Sequence, residues 1–313
     1  MTAPAHAVVD IHAHYRHPDQ APVVPAAWVS EERAADQLRH AEEMSSIDRI
    51  VEVADEASVD VRVLSLPAAS RFEDYDGTVP AAKEVAGTND YLAEAVRRYP
   101  DRIMGLATID AFAGEEAADE VRRAVEDLGL HGIVVDSARA DLFLGHDSTL
   151  PALEAAAGVG APVFVHPAGL PITPALIDHA GQLGSSYGRG LANGTALLTL
   201  VHRGILERLG DLTVVFTTLG IGAIGIAGTW RRKEWVDTGR VLFDTMGFDA
   251  DNVAHLVRTL GADNVTLGSD WPHQVDATPE RVRHALTDVG LSDSEQEQVR
   301  AGNALRVLRA GRS

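Results

Sequence analysis

Short apolar runs recur eight times along this 313-residue chain, and stretches with helical periodicity lie between most of them. After an opening run at 8–14, the apolar runs fall at 60–66, 103–109, 132–135, 161–165, 212–217, 241–243 and 265–267. The intervening patterns predict helices over 28–57, 80–99, 115–128, 150–157, 175–183, 192–209, 252–260 and 279–308. Strand followed by helix, eight times over, is the pattern of a (β/α)8 or TIM barrel, here expected to be distorted, with its active site at the C-terminal ends of the strands. Such barrels commonly run about 250 residues or more as one domain, so residues 1–313 read as a single unit. An open, doubly wound sheet is the alternative.

Composition removes several classes of function. Acidic residues outnumber basic ones by 46 to 27, a formal net charge of -19, which disfavours nucleic acid and anionic membrane surfaces as partners. An anionic small-molecule substrate would need a local arginine or lysine. The chain has no cysteine, so any metal must be held by histidine and carboxylate. The stretch 212–230 is uncharged and long enough to raise the question of a membrane span. Gly220, Gly222, Gly225 and Gly228 inside it favour a strand, a loop and the start of a helix instead. The first residues lack the basic and apolar regions of a signal peptide, and a cytoplasmic location is the default expectation.

The opening run, Val8-Val9-Asp10-Ile11-His12-Ala13-His14, is β-branched and reads as a buried strand. Period-two alternation would put Asp10, His12 and His14 on one face. Two imidazoles at a buried strand end are costly unless something binds them, and a divalent metal would do so. The plainer reading is two solvent-facing histidines just past a strand. His14, Asp136, His166, Asp244 and Asp270 all fall at or just after predicted strand ends, which a barrel gathers on one face. From these, His12, His14, His166 and Asp270 form the candidate metal set.

At this point the sequence resembles a known family. Val9 to His14 looks like the opening of the amidohydrolase superfamily, and the closer likeness is to the branch resembling aminocarboxymuconate-semialdehyde decarboxylase. Its further marks follow in order: the 89–108 segment, Pro162-Val163-Phe164-Val165-His166-Pro167, Gly204-Ile205-Leu206-Glu207-Arg208, Gly268-Ser269-Asp270-Trp271-Pro272-His273 and Gly302-Asn303-Ala304. The resemblance implies a barrel with one divalent metal, usually zinc, on His12, His14, His166 and Asp270. It also exposes a departure. Thr218 stands after the sixth strand where the family carries a histidine that positions water or polarises substrate. Threonine hydrogen-bonds but cannot serve as a base near neutral pH.

Two reactions fit a metal site of this kind: decarboxylation of a small unsaturated or aromatic carboxylate, and hydrolysis of a lactone, ester or amide by activated water. The decarboxylase branch favours the carbon–carbon lyase, with Asp270 and Thr218 as the catalytic residues. A metal-binding relative without turnover is a further alternative, prompted by Thr218. Gly220-Ile221-Gly222-Ala223-Ile224-Gly225 spells a dinucleotide fingerprint, but it follows five earlier strands, so neither NAD nor flavin is expected. Zn2+ is the first choice of metal and Mn2+ the alternative. Arg16 and Trp271 are candidate substrate contacts, with Phe72 a possible pocket wall. Asp10 and Asp244 are candidates to orient the metal-binding histidines. His273 reads as a loop-packing residue, and His202 lies on a helix before the sixth strand. A homodimer is plausible by analogy with the family.

Overall fold

Eight parallel strands form one sheet in sequence order, β1 (Val9–His14), β2 (Val61–Ser65), β3 (Ile103–Thr108), β4 (Gly132–Asp136), β5 (Val163–His166), β6 (Val214–Phe216), β7 (Val241–Asp244) and β8 (Val265–Thr266). The ring closes between the last strand and the first. Ile11 N–H donates to the Leu267 carbonyl at 3.0 Å, Asp270 N–H to His12 carbonyl at 2.9 Å and His14 N–H to Trp271 carbonyl at 3.0 Å. This is a (β/α)8 barrel. The computed structural model describes residues 7–20, 22–23, 25, 29–68, 81–227, 239–246, 249–274, 278–287 and 289–309. The predicted loop at 71–78, Trp28 and Phe72 lie outside them.

Two apolar layers hold the barrel. One residue or two from each of the first seven strands fill an inner cluster, including Val9, Ile11, Val63, Leu106, Val134, Phe164, Val215 and Leu242. Ala301, Ala304, Val307 and Leu308 from the C-terminal helix join that cluster. Asn303, next to them, donates to the carbonyls of Ala262 and Val265 at 2.8 and 2.7 Å, tying the last helix to the start of β8. The Gly302-Asn303-Ala304 motif thus has a structural purpose. The larger cluster lies between strands and helices and takes alternate strand residues such as Ala13, Leu64, Ala107, Val165 and Phe216.

Helices depart from the sequence expectation in three places. The pattern over 28–57 is two helices, α1 (Glu31–Met44) and α2 (Ile47–Glu56), because Ser46 caps a new start by accepting from Arg49 N–H at 3.3 Å. Next come α3 (Ala82–Arg98), α4 (Glu115–Arg122) and α5 (Leu150–Gly158). The separate helices expected at 175–183 and 192–209 are largely one long α6 (Thr173–His202), bent at Gly181, followed by a short α7 (Ile205–Arg208). The glycine-rich turn after β6 is a 3-10 turn, Thr218–Gly220, leading into α8 (Ile221–Ala227). After α9 (Ala250–Leu260), the stretch 279–308 divides into α10 (Pro279–Thr287), α11 (Asp293–Glu297) and α12 (Asn303–Arg309). Among the described residues, no helix is long and apolar enough to cross a membrane.

Candidate metal centre

β1 brings His12 and His14 to the C-terminal rim of the barrel, and β5 brings His166 beside them. One ring nitrogen from each lies within 4.8 Å of the other two, and all three side chains are buried. The rings meet edge to face, with centroids 5.1 to 5.8 Å apart. Asp270, just past β8, completes the group from one side. Its Oδ1 lies 3.0 Å from His14 Nε2 and 3.3 Å from His12 Nε2. The second contact is out of line for a hydrogen bond, and His12 Nε2 is a buried ring nitrogen without one. A buried nitrogen in that condition is costly, and a cation among the three rings would satisfy it. Three imidazoles and a carboxylate are also the donor set that a divalent metal takes when thiolates are absent.

The opposite edge of His12 is fixed. Asp244, fully buried at the end of β7, bonds through Oδ2 to His12 Nδ1 at 2.6 Å. This contact places the proton on Nδ1 and leaves Nε2 bare toward the other rings. Burial opposes a charge on His12, but Asp270, together with the hydrogen bond and charge of Asp244, outweighs it and raises the pKa of the imidazole. His166 is pushed well below its ordinary value by burial, then by Arg189 and the neighbouring histidines, so it stays neutral as a ligand must. Burial would raise the Asp270 carboxyl, yet His12 and His14 hold it well below the carboxylate range. Its backbone sits at φ 59°, a left-handed conformation that aspartate tolerates better than most residues.

The structure redistributes several of the sequence assignments. Asp10 does not simply share a face with the two histidines, because the pairing register of β1 on β2 shifts between Asp10 and Ala13. Its carboxylate takes the Ser269 N–H at 2.9 Å and the Ser269 hydroxyl at 2.6 Å, anchoring the residue before Asp270. Thr218 does not offer its hydroxyl as a free catalytic group. Its Oγ1 packs against the Asp244 backbone carbonyl and lies 3.1 Å from Asp244 Oδ1, while its N–H donates to Oδ1 at 2.8 Å. One hydroxyl proton can serve only one of those two acceptors; in either case Thr218 braces the aspartate that orients His12. Trp271, a candidate substrate contact, is buried in the outer apolar layer with the Arg62 guanidinium 4.3 Å above its ring. Arg16 is half-buried two residues past His14, with its N–H on the Met44 carbonyl at 2.9 Å. His202 is exposed at the far end of α6.

Three further side chains, His273, His40 and Arg189, lie around the cluster. His273 places its ring 5.4 Å from that of His14, and the buried His40 of α1 lies 5.9 Å beyond it. Burial, followed by the charges of His14, Arg189 and His40, lowers His273 to about 3 against the opposing pull of Asp270. Arg189, on α6, is half-buried, and its Nε lies 3.4 Å from the carbonyl of Pro167, the residue after His166. Sequence offered little signal for it, since Gly188-Arg189-Gly190 reads as loop.

A family model described as amidohydrolase matches residues 9–310, and the chain belongs to that family. Among similar proteins is a gamma-resorcylate decarboxylase of Polaromonas sp. (strain JS666), 27% identical over 296 residues, covering 85% of this chain and 88% of the relative. A 2-amino-3-carboxymuconate-6-semialdehyde decarboxylase of Dictyostelium discoideum is 27% identical over 240 residues, 70% of this chain and 65% of its own length. Among solved structures, a dihydroxybenzoic acid decarboxylase from Polaromonas sp. JS666, with bound manganese and the inhibitor 2-nitroresorcinol, superposes with a TM-score of 0.79 at 20% identity over 98% of both chains. A 5-carboxyvanillate decarboxylase from Sphingomonas paucimobilis gives 0.76 at 22% identity, over 97% of this chain and 99% of the other.

Proposed function

We propose that this protein is a metal-dependent carbon–carbon lyase that removes the carboxylate from a small aromatic acid. One observation carries the reading: three buried histidine nitrogens converge within 4.8 Å beside Asp270, in a chain 27% identical to a decarboxylase over 85% of its length. His12, His14, His166 and Asp270 would hold one divalent metal. Zinc was the choice from sequence; manganese is favoured here, since it is the metal bound in the dihydroxybenzoic acid decarboxylase. When bound, such a metal supplies a fixed positive charge that draws substrate oxygens and withdraws electrons from the ring.

The protein's own groups handle the proton. Breaking the bond to the carboxylate releases CO2 and leaves an electron pair on the ring carbon, which must then be protonated. Asp270 is the carboxylate nearest the three rings, and His12 and His14 keep it ionised. It would take a proton from a ring hydroxyl of the substrate and return it to carbon. Asp244 and Thr218 keep His12 in one tautomer while this happens.

The test is to load the protein with Mn2+ and measure CO2 release from a panel of hydroxybenzoates and related acids. Alongside it, metal content is measured for wild type and for His166→Ala. About one metal per chain is expected, lost in the variant together with activity. Hydrolysis of lactones or esters without CO2 release would favour the hydrolase reading, and no turnover of either kind would favour the binding-only relative.

A further inference from the structure

Arginines in this chain usually find acids, as expected where 46 acidic residues face 27 basic ones. Arg102 pairs with Asp55, Arg123 with Asp90 and Glu120, and Arg139 with Asp110. Arg189, like Arg300, meets a backbone carbonyl instead. No carboxylate among the described residues lies within salt-bridge distance of Arg189, and its guanidinium donates a long hydrogen bond to the Pro167 carbonyl. It is nonetheless half-buried, where an unpaired charge is costly.

Its position is fixed by packing. One turn along α6, Asn193 donates to the Thr217 hydroxyl at 2.7 Å, tying the helix to the end of β6. Gly190 passes so close that a Cβ there would lie 2.9 Å from the Leu219 carbonyl oxygen. On the other side, the guanidinium meets the residue that follows His166. Arg189 therefore stands at the rim between the ends of β5 and β6, and its charge is felt by both His166 and His273.

We infer that Arg189 binds an oxygen of the substrate that stays on the product, a ring hydroxyl or phenolate, and not the carboxylate that leaves. The inference rests on the lyase reading and selects hydroxylated aromatic acids within it. Loss of CO2 moves negative charge from the carboxylate into the ring and its oxygens. A fixed cation on the carboxylate would stabilise the reactant and oppose its departure, whereas the same cation on a ring oxygen gains in strength as charge arrives there. A planar guanidinium also suits an oxygen held in the plane of a flat ring.

The experiment uses Mn-loaded wild type, Arg189→Gln and Arg189→Lys, and two probes. Resorcinol carries ring oxygens and no carboxylate; benzoate carries the carboxylate and no ring oxygen. Binding is read by calorimetry, with metal content and melting temperature as folding controls. Arg189→Gln is expected to weaken resorcinol binding by about tenfold or more, as loss of a charge-assisted hydrogen bond does, and Arg189→Lys by less, with benzoate little changed. Loss confined to benzoate, no change with either probe, or a wild type that does not bind resorcinol would each overturn the inference. Arg189-dependent resorcinol binding in a protein that releases no CO2 from any acid would leave the inference standing and remove the lyase reading.

Discussion

Thr218 acquires its meaning from its contacts with Asp244. Asp244 accepts from the N–H groups of Thr218 and Met246 through Oδ1, at 2.8 and 3.1 Å, and meets His12 through Oδ2. The Thr218 hydroxyl adds to this bracing. Thr218→Val keeps the shape and removes the hydroxyl, which should reduce stability by about 1 kcal/mol and weaken metal binding by up to about tenfold. Thr218→His adds bulk against a buried aspartate, and overfilling of this kind typically costs about 1–3 kcal/mol. Its activity should fall below that of the valine variant. Side-by-side denaturant midpoints and Mn2+ affinities decide the matter; an active, fully stable Thr218→His protein would show that Thr218 is not a brace.

At the level of elements, α6 is the part of the barrel that sequence propensity misjudged most. Glycine disfavours a helix by about 1 kcal/mol relative to alanine, so the glycine-rich middle of this stretch reads as a break. Close packing overrides that preference. A Cβ at Gly188 would come within 2.6 Å of the Thr173 hydroxyl, and one at Gly190 within 2.9 Å of the Leu219 carbonyl. Gly87, inside α3, meets nothing within 4 Å. The two kinds of glycine should respond oppositely to the same change. Gly87→Ala should stabilise the protein by about 0.5–1 kcal/mol, since only the backbone entropy term acts. In Gly190→Ala the clash with a backbone atom dominates, and a net loss of about 1–3 kcal/mol is expected. Thermal melts of both variants check it, and a stabilised Gly190→Ala would mean that α6 is free to move away from the Thr218 turn.

The whole molecule carries a pH signature through His273. Its folded pKa is about 3 against an ordinary value of 6.5, mainly because it is buried. The unfolded chain therefore binds a proton that the folded one does not. Stability from this group is complete above about pH 6.5 and is lost as pH falls toward 3, at up to about 1.4 kcal/mol per unit. Urea midpoints of the metal-free protein from pH 7.5 to 4.5 should fall more steeply for wild type than for His273→Gln. Parallel curves would show that His273 is protonated in the folded state at mildly acidic pH.

Much of this molecule was legible in its sequence because period and position carry the information. Eight apolar runs separated by helical patterns define the barrel, and polar residues at the ends of those runs had to meet on one rim, where His12, His14, His166 and Asp270 come together. Asp244 as the partner of a histidine was legible for the same reason. What the linear order could not hold were relations between residues far apart along the chain. The register shift in β1 turns Asp10 toward Ser269, and the Thr218 hydroxyl faces Asp244 rather than the three rings. Trp271, adjacent to a metal-binding candidate, packs under Arg62. Arg189 comes to the rim where Gly190 lets α6 approach the turn after β6. Propensity is a local energy of about 1 kcal/mol or less per residue, and close packing between distant segments exceeds it. The chain order therefore determined which strands form the barrel and which residues end them, and tertiary packing decided which way those residues point.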